Sequence, residues 1–149
     1  LDAACVVPDD FEVPFGKARI RRSGSDLTII TYGNTNHLCH KVAERLANDK
    51  VANCEVIDLR SLIPLDKETI FESVKKTSKV LIVHEDKVFS GFGAELAATI
   101  GTELFQHLDA PIQRVGSVFT PVGFHPVLEK AILPDADRIY KAASDLLAY

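Results

Sequence analysis

Three consecutive residues, His84, Glu85 and Asp86, are of the types that general acid-base chemistry requires. A histidine gains or loses a proton near neutral pH, and adjacent carboxylates can orient it or share in the transfer. The three residues follow an apolar run that is typical of a buried strand. Charged residues also collect wherever strands meet solvent, where they form ion pairs within the chain or with another subunit. We favour this second interpretation, with Asp58 and Arg60 in the neighbouring region of the sheet, and predict no catalytic residue.

The segment 90–95 is similar to part of the glycine-rich fingerprint of dinucleotide-binding folds, with glycines at Gly91 and Gly93. Such glycines let a backbone approach a pyrophosphate at a helix N-terminus. The third glycine is missing because Leu96 occupies its place, and a loop separates the preceding strand from the glycines. We therefore expect Gly91 and Gly93 to permit close packing of a helix on the sheet, and we predict no cofactor-binding residue.

Two histidines and three cysteines are potential metal ligands. His37 and His40 are three residues apart on a predicted helix, but no third ligand stands at a recognisable spacing. Cys5, Cys39 and Cys54 form no C-x-x-C pair, so neither a zinc site nor a disulfide framework is indicated. We predict no metal site, and expect thiols without a chemical role.

The segment 120–126, which contains Phe124 and His125, is rigid and apolar for a loop. Such a segment either packs locally or forms a partner surface. We favour the partner surface.

Strand and helix patterns alternate along the chain. The strands are predicted over residues 17–22, 27–32, 54–59, 79–84 and 112–115. The helices are predicted over residues 38–47, from the N-cap Asp66 to 76, over 92–108, and from Asp135 onwards, with a loop at 116–124.

This alternation predicts an α/β fold with a mainly parallel sheet and helices on both faces. If the order is the common doubly wound one, the strand at 27–32 lies between those at 54–59 and 79–84. A crevice walled by residues 33–36 and 84–86 would then open at the carboxyl edge of the sheet.

The composition indicates one ordinary domain. Of 149 residues, 46% are hydrophobic and 26% are charged, and we assign residues 15–149 to the domain and 1–14 to a linker or arm. The net charge of −4 has no basic blocks, which argues against nucleic acid and anionic membranes as partners. No apolar run could span a bilayer and no signal peptide is evident, so we predict a cytoplasmic location. Because the chain contains no methionine, we expect that it was processed or cut from a longer protein.

Four motifs in order, at residues 56–66, 84–86, 91–95 and 109–115, together resemble one family. This is the transketolase-type carboxy-terminal domain of the β subunit of 2-oxo acid dehydrogenases, most similar to the branched-chain (2-oxoisovalerate) and pyruvate types. The resemblance extends from Val13 to the end. Ser90 departs from it, because a glycine commonly precedes Gly91, and residues 1–7 resemble nothing that we can place.

The resemblance implies a three-layer α/β/α domain with a five-stranded sheet, whose antiparallel edge strand would be residues 17–22. It implies a heterotetrameric parent enzyme that decarboxylates a 2-oxo acid, for which we expect a branched-chain substrate, and acylates lipoyl groups with thiamine diphosphate and Mg²⁺. This chain has neither the G-D-G motif with a distant Asn that holds the metal diphosphate nor the domain that supplies the activating glutamate. We therefore predict that it binds no cofactor and is inactive alone.

The partners that the resemblance implies are the α subunit or an α-like region, a second β subunit, and the subunit-binding domain of the acyltransferase component. The terminal carboxylate of Tyr149 could receive Arg or Lys of that basic domain, or the terminus could fray into solvent. The candidate interface or crevice residues are Asp58, Arg60, His84, Glu85, Asp86, Gly91, Gly93, Phe124, His125 and Tyr149.

Two other functions stay open at this stage. The chain could be an independent small-ligand or nucleotide-binding α/β domain that uses the crevice. It could also be the same domain of a transketolase or a deoxyxylulose-phosphate synthase.

Overall fold

The computed structural model describes residues 11–149, which form one five-stranded sheet and the helices packed on it. The strands are β1 (Arg19–Arg22), β2 (Leu27–Thr31), β3 (Cys54–Asp58), β4 (Val80–Lys87) and β5 (Gln113–Ser117). Their order is β1-β3-β2-β4-β5, and all pairs are parallel except β1 with β3, whose register shifts between Ile20 and Arg22. The antiparallel edge strand and the central place of β2 are confirmed.

Helices cover both faces of this sheet. They are α1 (Thr35–Asn48), α2 (Lys67–Thr77), α3 (Phe92–Glu103), α4 (Pro126–Ile132) and α5 (Ala136–Leu147). The buried side chains of α1 and α5 form one core cluster with the sheet, and those of α2 and α3 form a second cluster. The predicted three-layer α/β/α class is therefore confirmed.

The central strands are apolar on both faces because helices cover both faces. In β4, Leu81 and Val83 belong to the cluster under α1 and α5, whereas Val80 and Ile82 belong to the cluster under α2 and α3. All four side chains are fully buried. This double burial explains why the strand lacks the alternation of polar and apolar residues.

One helical prediction was wrong in extent, and one short helix was not predicted. The helix predicted over 92–108 ends at Glu103 and is followed by a short 3-10 helix, Phe105–His107. Leu104 and Leu108 still pack against the core, so the apolar spacing continues past the helix end. Helix α4 was not predicted because none of its seven residues is buried, so no apolar stripe reveals it.

The predicted arm over 1–14 falls mostly outside the described residues, as does Cys5. Residues 11–14 have no regular secondary structure and are exposed.

Asp66 joins α2 to the edge of the sheet. Its carboxylate accepts hydrogen bonds from the backbone N–H and hydroxyl of Thr69, at 3.3 and 2.9 Å, which confirms the predicted N-cap. It also accepts from the N–H of Ala18, just before β1, at 2.9 Å. Burial alone would raise the pKa of this carboxyl, but these hydrogen bonds and nearby Lys17 lower it. One side chain therefore fixes both a helix start and the edge strand.

Asp66→Ala should lower the free energy of unfolding by about 2–3 kcal/mol, because a cap and a bond to the edge strand are lost together. Since the folded pKa is lowered, this stabilisation is complete above the unfolded value of about 3.9 and is lost as the pH falls through the folded pKa. Urea unfolding at several pH values measures both effects.

Asp135→Ala is the matched control. Asp135 is exposed and caps α5 through the N–H of Arg138 at 2.8 Å, so its loss should cost only about 1 kcal/mol. Equal costs for the two variants would mean that the bond to Ala18 adds nothing.

Helix α3 lies close to β4 because Gly93 has no side chain. A Cβ at Gly93 would lie 2.2 Å from His84 Nε2 and 3.2 Å from Ile82 Cγ2. Later in the same helix, a Cβ at Gly101 would be 4.0 Å from its nearest neighbour, Ile112 Cδ1. The close packing predicted for Gly93 is therefore observed, and Gly101 has free space.

Gly93→Ala should lower the free energy of unfolding by about 1–3 kcal/mol, since the added methyl group forces the His84 ring or the helix to move. Gly101→Ala should raise it by about 0.5–1 kcal/mol, because alanine loses less backbone entropy in a helix. Chemical denaturation of the two variants measures the difference. If both variants gained stability equally, α3 would have room to shift, and the contact would not constrain the fold.

Candidate functional site

Two residues at the start of α1, the N-cap Asn34 and Asn36 in the first turn, bridge the crevice that was predicted at the carboxyl edge of the sheet. Asn36 Nδ2 donates to Asp58 Oδ2 of β3 at 2.6 Å, and Asn34 Nδ2 donates to Glu85 Oε1 of β4 at 3.4 Å. The two predicted walls are thus adjacent, as the strand order requires. Hydrogen bonds join them across the crevice.

Asp58 and Arg60 shape the turn that follows β3. Asp58 Oδ1 accepts from the N–H of Arg60 at 3.2 Å, and Arg60 has a φ of +56°, in the left-handed region. With Asn36 on its other oxygen, the Asp58 carboxylate has a partner on each side. The carboxylate therefore joins the first turn of α1 to the turn that follows β3.

His84 is fully buried, so the prediction that it lies in a surface cluster was wrong. The reason is that β4 continues to Lys87 and α3 covers the ring through Gly93. The Tyr32 ring lies nearly parallel to the imidazole, with 6.0 Å between centroids. Burial lowers the pKa of His84, and Asp86 only partly opposes this. The ring is therefore a packed, neutral group, whereas Glu85 and Asp86 are exposed as predicted.

Gly91, the residue before α3, faces the backbone of β4. A Cβ there would lie 2.1 Å from Lys87 O. Protein atoms thus fill the space in front of both Gly91 and Gly93, which leaves no room for a pyrophosphate against them. Ser90 has a φ of +60°, a conformation that costs serine more than glycine. This accounts for the glycine that commonly stands there in similar sequences.

An exposed apolar surface lies beyond the carboxyl ends of β4 and β5. Phe89 and Phe119 are 68% and 69% exposed and contact each other edge to face, with 5.1 Å between ring centroids. Phe124 is entirely exposed. The predicted partner surface at 120–126 falls within this region, which we call the apolar ridge. Its residues are Phe89, Phe119, Val122, Phe124, Val127 and Leu128.

Two arginines bind backbone carbonyls near the apolar ridge. Arg114 Nη1 donates to Val88 O at 2.8 Å, next to Phe89, and Arg138 Nη2 donates to Gly116 O of β5 at 2.9 Å. The bond to Val88 satisfies a loop carbonyl, which helps to define the path of the chain before Phe89. Sequence reasoning missed both arginines and the ridge residues outside 120–126, although exposed phenylalanines after predicted strands were a usable signal.

A cavity of about 130 Å³ opens beside the apolar ridge, between β4, β5 and α4. The carboxylates of Glu85, Asp86 and Glu129 line it together with Lys87. Burial, and then the negative charges of Asp86 and Glu85, raise the pKa of nearby Tyr32. This edge of the domain is therefore both apolar and acidic.

The two remaining candidates lie at helix ends. His125 caps α4, because its Nδ1 accepts from the N–H of Val127 at 3.3 Å. Tyr149 is exposed, and its N–H donates to Leu146 O at 3.4 Å. It lines a groove of about 450 Å³ that includes Phe105.

The other potential metal ligands do not converge in residues 11–149, where no group of three or more His, Cys, Asp or Glu could hold a metal ion. His37 is exposed, and His40 lies 3.6 Å from Glu44. Cys39 and Cys54 are buried free thiols, and burial raises the pKa of each to about 12. Within the same residues no helix has the length and apolar character to cross a bilayer; a cytoplasmic location stays a prediction.

Comparison with known proteins places this fold in a family. The family model described as "Transketolase, C-terminal domain" matches residues 16–139. Among solved structures, one described as "Split gene transketolase, inactive beta4 tetramer" is 25% identical with a TM-score of 0.79, over 97% of this chain and 46% of that one.

Curated relatives are similar over almost the whole chain. The "Pyruvate dehydrogenase E1 component subunit beta" of Rickettsia felis is 43% identical over 144 residues, 96% of this chain and 44% of the relative. The "2-oxoisovalerate dehydrogenase subunit beta" of Bacillus subtilis is 39% identical over 97% of this chain and 44% of the relative. The chain thus spans less than half the length of these proteins. It belongs to the transketolase C-terminal domain family, and its relatives are β subunits of pyruvate and 2-oxoisovalerate dehydrogenases.

Proposed function

We propose that this chain is the assembly domain of the β subunit of a thiamine-dependent 2-oxo acid dehydrogenase. The observation that carries the proposal is the apolar ridge, where six large apolar side chains are at least 55% exposed beside a fully packed core. Exposed large apolar side chains that cluster, as Phe89 and Phe119 do, mark protein interfaces. The ridge therefore docks another subunit of the parent enzyme, either the α subunit or a second β subunit.

The residues that could do chemistry have structural partners instead. His84 is buried, Asp58 joins α1 to the turn after β3, and the space before Gly91 and Gly93 is filled. A general acid or base must reach the reacting atoms, and a nucleotide needs an open helix N-terminus. These arrangements support an assembly role over the nucleotide-binding alternative, with thiamine diphosphate and Mg²⁺ held by other parts of the parent enzyme.

The parent enzyme's substrate class rests on the motifs and the relatives. Relatives named for pyruvate and for 2-oxoisovalerate are 43% and 39% identical, whereas the split-gene transketolase is 25% identical. This favours a 2-oxo acid dehydrogenase over a transketolase. The proposal includes branched-chain specificity, for which the support is the sequence motifs alone.

A second surface suits the acyltransferase component. Tyr149 and Phe105 line an exposed groove that could receive side chains of its subunit-binding domain. We assign this groove to that partner and the apolar ridge to the subunits.

Phe124→Ser in the parent β subunit should weaken its assembly with co-expressed α subunit or second β subunit about tenfold or more. The reason is that an aromatic side chain which becomes buried on assembly is a common interface hot spot. The stability of the chain itself should change by less than about 0.5 kcal/mol, since the ring is fully exposed. Sedimentation velocity measures assembly and thermal unfolding measures stability.

Phe105→Ser is the matched control, because Phe105 is 76% exposed but lies outside the apolar ridge. It should leave subunit assembly unchanged. Normal assembly of both Phe124→Ser and Val127→Ser would remove the ridge from the subunit interfaces.

The isolated chain should not bind thiamine diphosphate, with or without Mg²⁺, in the micromolar range. The electrostatic groups that hold a cofactor must surround it, and this chain supplies none of them. Calorimetric titration measures the affinity, with the full parent enzyme as the positive control. Micromolar binding by the chain alone would contradict an assembly role without cofactor contacts.

A further inference from the structure

The buried imidazole of His84 is a titratable group that packing alone does not explain. Its Nδ1 lies 3.0 Å from Asp86 O, whereas Nε2 is buried and has no hydrogen-bond partner. Three glycines surround the ring: a Cβ at Gly91, Gly93 or Gly116 would come within 3.1 Å of its atoms. An apolar side chain would fill such a space without leaving a polar atom unpaired, so the retained polarity requires a reason.

The geometry determines which nitrogen carries the proton. A backbone carbonyl only accepts hydrogen bonds, so Nδ1 must be the donor to Asp86 O. In the neutral ring Nε2 is then bare, and it faces the Cα of Gly93. A proton added to Nε2 would place a positive charge and an unpaired donor in the core.

The hydrogen bond from His84 is one of three that bind carbonyls in a segment leading to the apolar ridge. Asp86 O belongs to residues 85–90, which end in Phe89 and Ser90. The same segment is held at Glu85 O by the Ser117 hydroxyl and at Val88 O by Arg114. His84 is the only one of these three donors that titrates near neutral pH.

We propose that neutral His84, protonated at Nδ1, is the positioning residue for segment 85–90, and that its protonation at Nε2 releases this segment, which leads to the apolar ridge. That the ridge docks a subunit rests on the proposed function. The effect of His84 on the segment is independent of it.

The charges that face the ring set the direction of the pH effect. Burial lowers the pKa of His84 first, Asp86 opposes this, and Arg114 from β5 adds to the lowering. The other ionisable neighbour is the Tyr32 hydroxyl after β2, and α3 presents Gly93. Since the folded pKa lies below the unfolded value of about 6.5, the segment is held fully above that pH. Its opening equilibrium then rises by up to about tenfold per pH unit as the pH falls towards the folded pKa.

Nitrogen NMR on the full chain tests the tautomer. At pH 7.5 the ¹⁵N shifts of His84 should report a protonated Nδ1 and an unprotonated Nε2, and the ring should titrate below pH 6.5. A protonated Nε2 at pH 7.5, or titration at 6.5, overturns the proposal.

Amide hydrogen exchange tests the release of the segment. Between pH 7.5 and pH 5.5, protection factors of residues 85–90 should fall, by up to about tenfold, relative to those of α2. His84→Asn, which retains a donor near the Nδ1 position but cannot titrate, should abolish this pH dependence. His84→Leu should lower protection at every pH, and His37→Asn, at an exposed histidine, should behave as the unsubstituted chain. Unchanged relative protection, or the same pH dependence in His84→Asn, overturns the proposal.

The two proposals fail separately. Neither NMR nor exchange needs a partner, so normal subunit assembly of Phe124→Ser contradicts the proposed function without affecting this result.

Discussion

The contact between His84 and the glycines around it is the constraint on which the carboxyl edge depends. An imidazole at the end of a parallel strand is accommodated only because α3 and β5 present backbone without side chains. That contact fixes the distance of α3 from β4, and β4 continues past the end of β2 to pair with the last residue of β5. The loop that carries Phe89 begins from this extension, so its position depends on the packing of the ring.

Helix α2 covers the same face of the sheet as α3, and polar side chains fix its position there. The Thr28 hydroxyl lies 2.7 Å from the hydroxyls of Ser73 and Thr77 on α2. Buried Glu55 pairs with Lys76 of the same helix, and although burial would raise the pKa of Glu55, these partners lower it. Such bonds fix the register of a helix on a sheet, which apolar contact alone does not. The face is therefore held by hydrogen bonds under α2 and by close approach under α3.

Most of the architecture could be predicted from the sequence, because double burial leaves an apolar run in β4 and amphipathic spacing in α1 and α5. The N-caps Asp66 and Asp135 were also visible, since a local hydrogen bond depends on few residues. The extent of α3 was not, because Leu104 and Leu108 are buried whether or not the helix continues. His84 was misplaced because a sequence shows where a strand's apolar run stops but not what covers the residue that follows.

The apolar ridge could be predicted only in part, because most of it depends on contacts between distant segments. Phe89 and Phe119 stand in separate loops, and only the pairing of β4 with β5 brings them together. Their arginine supports act on carbonyls that are distant in sequence, so no local pattern reveals them. The segment 120–126 was recognisable because its rigidity and apolar character are properties of one continuous stretch.

The outer edge of β1 affects how readily two copies of this chain could pair through their sheets. An edge strand offers unpaired backbone groups to any other strand in solution, and flat apolar edges aggregate by this route. Here the edge is short, its register shifts between Ile20 and Arg22, and Arg19, Arg21 and Arg22 supply like charges along it. A second copy approaching in the same way would meet an irregular backbone and a row of matching cations. The sheet edge of this domain thus offers little for a second copy to pair with, while the apolar ridge stays exposed.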